Sequence, residues 1–114
     1  MIAAILVLVV AALHACFLVL EMFLWESRRG RKAFGTTETF ARETRALAAN
    51  QGLYNGFLAV GLVYGLWADP QLTAFMLVCV VVAGLYGAAT ATVKALYFQT
   101  IPAALALAAL WSGI

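Results

Sequence analysis

Residues 46–67 read ALAANQGLYNGFLAVGLVYGLW, an uncharged run that carries Asn50, Gln51, Tyr54 and Asn55 among apolar neighbours. A membrane-spanning helix needs about 20 consecutive, mostly apolar residues, and this run is long enough. A carboxamide facing lipid is unsatisfied, so amides in such a helix should turn inward and bond to other helices or to a ligand. Residues four apart share a helix face. Gln51 and Asn55 form one such pair; Asn50 and Tyr54 form another, about 100° round the helix. Gly52 and Gly56 add a small-residue stripe that lets a neighbouring backbone approach closely.

Working outward, three more apolar runs accompany this one, at about 2–25, 72–91 and 95–111. The chain is 66% hydrophobic and 11% charged, with a mean hydropathy of +1.00. A soluble domain has about a quarter of its residues charged, so this chain lacks the polar surface to face water all round. The expectation is a single all-α domain, 1–114: an integral membrane four-helix bundle in the cell inner membrane, with the lipid bilayer as its surroundings. The first run lacks a basic leader and a small-residue cleavage site, so removal as a signal peptide is not expected.

Topology follows from charge. Arg28, Arg29, Arg31, Lys32, Arg42 and Arg45 share the polar segment 26–45, and Lys94 is the remaining basic residue. Positive loops stay cytoplasmic during insertion. With 26–45 inside, alternation puts the Asp69-Pro70 turn outside and Lys94 inside, leaving both termini on the non-cytoplasmic side. In the loop, Gly30 and Gly35 read as breaks, and Thr37 as the cap of a short helix beginning at Glu38. Trp25, Trp67 and Trp111 fall at run ends, where indoles suit headgroups. Pro102 should kink or loosen the fourth helix.

The polar residues gather toward the basic side of the runs. His14 and Glu21, two helical turns apart, lie on nearly one face of the first. An ionisable group within a span is expensive and tends to face the bundle interior. Tyr86 and Thr90 end the third run, and Gln99 lies near the start of the fourth. These positions predict a polar intramembrane pocket on the cytoplasmic side. Glu21 and His14 are its candidate acid–base residues; Asn50, Gln51, Tyr54, Asn55, Tyr86, Thr90 and Gln99 are its candidate ligand-binding residues. A small lipophilic molecule fits such a pocket. The competing expectation is a structural or accessory subunit, with the same amides bonding helix to helix.

Other chemistries lack support. No metalloprotease, P-loop, nucleophile-elbow or dinucleotide motif is present. A single His makes a zinc site unexpected, and Cys16 and Cys79 sit in apolar runs as small hydrophobes. The basic loop is accounted for by insertion, so no nucleic-acid partner is expected. The Gly and Ala stripes would permit a homo-oligomer.

The segments Glu21–Trp25, Gly30–Gly35, Ala49–Ala59 (ANQGLYNGFLA) and Ala83–Thr90 (AGLYGAAT) resemble the small bacterial and fungal membrane proteins of domain-of-unknown-function family 1304. The resemblance covers essentially the whole chain and implies a four-helix membrane protein without an assigned reaction. Asn55-Gly56 is also similar to a motif in the small four-helix styrene oxide isomerases, which use haem to open an epoxide. Their haem-ligating His has no counterpart at Ala49 or Asn50, and His14 is the one imidazole in the chain. The cofactor, if any, is left open by these residues.

Overall fold

The chain is all-helical, with six α-helices and no strands, in a computed structural model that describes residues 1–114. Helix α1 covers Ile2–Met22, α2 Arg28–Phe34, α3 Glu38–Glu43, α4 Arg45–Ala68, α5 Pro70–Thr90 and α6 Ile101–Ser112. Helices α1 and α5 are long and apolar enough to cross a membrane, with mean hydropathies of 2.9 and 2.2 over their most apolar stretches. The amides and Arg45 lower that of α4, and α6 is shorter.

Side-chain capping sets several of the boundaries. Ser27 accepts the Gly30 N–H at 3.1 Å and starts α2, while its hydroxyl donates to the Leu24 carbonyl at 2.6 Å. Gly35, at φ 67°, closes α2 in the left-handed conformation that glycine tolerates best. Thr37 accepts the Phe40 N–H at 3.1 Å and starts α3, as its position before Glu38 predicts. Asp69 accepts the Gln71 N–H at 3.0 Å, and Pro70 takes the first turn of α5, where its missing N–H removes no helical bond.

Three details differ from the sequence reading. The first helix stops at Met22 rather than Trp25, because Phe23 and Leu24 both donate to the Val19 carbonyl and the chain turns toward Ser27. Gly30 does not break the loop; it is buried inside α2, and segment 26–45 holds two short helices. The fourth apolar run opens as a π-helical segment, Leu96–Thr100, before α6. Ile101 N–H reaches back five residues to the Leu96 carbonyl. The wider turn stands immediately before Pro102, whose ring and missing N–H forbid ordinary winding there.

Two compact units divide the chain: residues 1–13 with 59–114, and residues 14–58. In the first, Val7, Val10, Leu62, Leu77, Val80 and Ala106 form an apolar core. Gly84 lets α5 and the π segment meet: a methyl group there would strike the Thr100 side chain and lie 2.7 Å from its backbone nitrogen. Thr100 completes that contact by donating its hydroxyl to the Val81 carbonyl at 3.2 Å. The chain ends also meet, the N-terminal ammonium donating to the Ile114 carbonyl at 2.8 Å. The second unit buries a different set: His14, Glu21, Gly30, Ala41, Ala48 and Gly52.

Candidate functional site

Glycine decides how closely α1 and α4 approach in the second unit. A Cβ on Gly52 would lie 2.7 Å from Met22 Cγ and 3.1 Å from Glu21 Cβ, and one on Gly56 would lie 2.6 Å from Leu18 Cδ1. The small-residue stripe of α4 therefore receives the ridge Leu18–Glu21–Met22 of α1. A Cβ at Gly52 would force Met22 Cγ aside and crowd Glu21 Cβ and the Leu18 carbonyl.

That close approach sets the polar geometry. Gln51 and Asn55, four apart on one face of α4, point at the Glu21 carboxylate. Asn55 Nδ2 donates to Oε1 at 2.5 Å, and Gln51 Nε2 donates to Oε2 at 3.0 Å. Each carboxylate oxygen thus has its own amide donor. The Glu21 residue is only 3% exposed. Its partners are amides rather than cations, and the ion pair of this region lies elsewhere, between Glu26 and Arg45 at 3.4 Å on the surface. Glu21 is not paired with Arg28 or Arg29.

The remaining candidate residues fall out differently. His14 is fully buried on α1, with the Phe17 ring edge-on at a centroid distance of 5.2 Å. Asn50 is exposed, and Tyr54 is exposed with its ring edge-on to Phe57. The pair Asn50–Tyr54 therefore lies on an exposed face of α4, about 100° round from Gln51–Asn55, of which Gln51 is also exposed and Asn55 half-buried. Tyr86, Thr90 and Gln99 belong to the first unit. Tyr86 is exposed, Thr90 donates its hydroxyl to the Tyr86 carbonyl at 2.7 Å, and Gln99 is half-buried in the π segment. What the structure joins by direct bonds is the trio Glu21, Gln51 and Asn55.

Around the trio, the basic segment is tied down by a contact that the sequence did not mark. Trp25, expected as a headgroup anchor, donates its indole N–H to Thr44 Oγ1 at 3.1 Å and packs against Phe34 at 5.0 Å. Thr44 in turn donates to the Phe40 carbonyl at 2.7 Å. The indole thereby links the end of α1 to the joint between α3 and α4. A Trp nineteen residues before a Thr carries no periodic signal, so only the folded backbone reveals the pair.

A family profile described as "Protein of unknown function (DUF1304)" matches residues 8–111. "Uncharacterized protein YpaA" of Lactococcus lactis subsp. lactis (strain IL1403) is 32% identical over 108 residues, covering 90% of this chain and 91% of that protein. No solved structure matches. The matched span includes Glu21, Gln51 and Asn55 and bears out the family resemblance drawn from residues 21–25, 30–35, 49–59 and 83–90. The chain belongs to the DUF1304 family of proteins of unknown function.

Proposed function

We propose that this is a four-span inner-membrane protein whose Glu21–Gln51–Asn55 trio is the polar end of an intramembrane site for a small lipophilic molecule. Segment 26–45 faces the cytoplasm, and both termini face the other side. The observation that carries the reading is the convergence of two amide donors on one buried carboxylate that lacks a cationic partner. A charge removed from water is costly unless it is paired, and a bundle needing only adhesion has no use for one. A carboxylate held by two donors is suited to receiving a ligand's polar group or a proton. In an enzyme version of this reading, Glu21 would act as the acid–base group, with His14 as its second candidate on α1.

A structural role is the competing reading, and the glycine contacts favour it: Gly52 and Gly56 bring α4 against α1, and the amides then act as interhelical bonds. Native mass spectrometry of protein released from membranes separates the two. The ligand reading expects a bound small molecule on the wild type that Asn55→Leu and Glu21→Gln lose. Wild-type spectra without added mass would contradict it. Cysteine labelling in intact cells tests the topology: Ser27→Cys should react from the cytoplasm and Ser112→Cys from the opposite side. Labelling of both from one side would contradict the four-span arrangement.

A further inference from the structure

The donors and acceptors of the trio are unequal in number, and that imbalance selects a ligand class. A carboxylate offers about four lone-pair positions, and a carboxamide offers two N–H donors and one carbonyl oxygen. Asn55 and Gln51 each spend one N–H on Glu21, which uses two of its positions. Because the nitrogens face the carboxylate, the amide oxygens Oδ1 and Oε1 turn away from it, and neither accepts a hydrogen bond. The trio therefore presents acceptors on three residues against two spare N–H groups. No Lys or Arg lies within ion-pair distance of Glu21. The flanking side chains are apolar, with Leu18 and Met22 packed over Gly56 and Gly52.

Resting on the reading of this trio as a ligand site, we propose that its ligand is a lipophilic cation with hydrogen-bond donors, a protonated primary amine on an apolar body. An ammonium brings three donors and no acceptor, matching a set of acceptors beside which the protein places no cation of its own. A carboxylate-headed amphiphile would meet like charge and find few donors. An alcohol would supply a single donor and no charge.

The test uses the wild-type protein in phosphatidylcholine nanodiscs, with dodecylammonium, dodecanol and dodecanoate as chain-matched probes. Modification of Glu21 by an apolar carbodiimide is read by mass spectrometry, with Glu26 and Asp69 as surface references. Dodecylammonium should protect Glu21 selectively, at a concentration lower than dodecanol by about tenfold or more, and dodecanoate should not protect. Calorimetry should show the amine's binding lost in Glu21→Gln. Selective protection by dodecanol at equal concentration, or by dodecanoate, would overturn the cation class and leave the site standing. Labelling of Glu21 unaffected by all three probes would overturn both the class and the site.

Discussion

Asn55 on α4 donates its side-chain N–H to the Glu21 carboxylate on α1 at 2.5 Å, across a sequence separation of 34 residues. The bond requires that α4 present glycines to α1, since Gly52 and Gly56 bracket Asn55 on the same surface. Helix packing, polar satisfaction and the candidate chemistry thus depend on one patch of two helices.

Asn55→Leu removes the shorter of the two amide bonds and leaves Oε1 without its donor. In the proposed four-span arrangement this is an interhelical bond between membrane helices, which contributes about 0.6 kcal/mol on average and up to about 1.7 kcal/mol. A loss toward the upper end is expected, because the acceptor is a buried carboxylate. Equilibrium unfolding in mixed micelles measures it. A double-mutant cycle with Glu21→Gln should return a coupling of similar size, whereas strict additivity would mean that the two side chains do not interact.

Gly52→Ala and Gly56→Ala should differ. The new methyl at Gly52 meets Met22 Cγ, Glu21 Cβ and the Leu18 carbonyl at 2.7, 3.1 and 3.3 Å, atoms close to the α1 backbone that yield less readily than a side-chain tip. At Gly56 the close neighbour is the tip of Leu18, which can change rotamer. Overpacking costs about 1–3 kcal/mol, and alanine returns about 1 kcal/mol of helix propensity. Gly52→Ala should therefore be net destabilising and Gly56→Ala close to neutral, as read by thermal unfolding. The reverse order would contradict the packing described.

At the π segment, Gly84→Ala places a methyl 2.7 Å from the Thr100 backbone nitrogen and 3.0 Å from Gln99 Cβ. Backbone cannot yield as a side-chain tip can, so a loss of about 1–3 kcal/mol is expected. Gly87→Ala, one turn on, meets only Ala95 Cβ at 3.2 Å and should change stability by less than about 1 kcal/mol. Amide hydrogen exchange across 96–100 should quicken in the Gly84 variant alone.

Arg45→Ala breaks the pair with Glu26, whose side chains are 73% and 40% exposed. Exposed pairs contribute about 0.2–1 kcal/mol and weaken with salt. Unfolding at low ionic strength should shift slightly, and at molar salt the variant should match the wild type. A larger, salt-independent loss would assign Arg45 a role that this pair does not provide.

Much of the helical layout could be read from residue types alone, because uncharged runs of this length have few other solutions. The Thr37 cap, the break at Asp69-Pro70 and the shared face of Gln51 and Asn55 follow from local chemistry and a 3.6-residue period. Local rules also separated Gln51–Asn55 from Asn50–Tyr54, but they could not say which pair faces α1. Gly52 and Gly56 held that information, since the glycine surface is where a neighbouring helix comes closest. The partners of Glu21 were harder to foresee: Gln51 and Asn55 lie 30 and 34 residues away in sequence, and the arginines nearer to it do not pair with it. The π segment before Pro102 and the Trp25–Thr44 bond depend on backbone geometry without a compositional signature.

The most direct test of the central claim is isotope-edited infrared spectroscopy of the Glu21 carboxyl group in lipid nanodiscs, identified by its disappearance in Glu21→Gln. A Glu21 band distinct from those of Glu26, Glu38 and Glu43, and displaced when Asn55→Leu removes its donor, is the expected result. A Glu21 band that coincides with the surface carboxylates and ignores Asn55→Leu would contradict it.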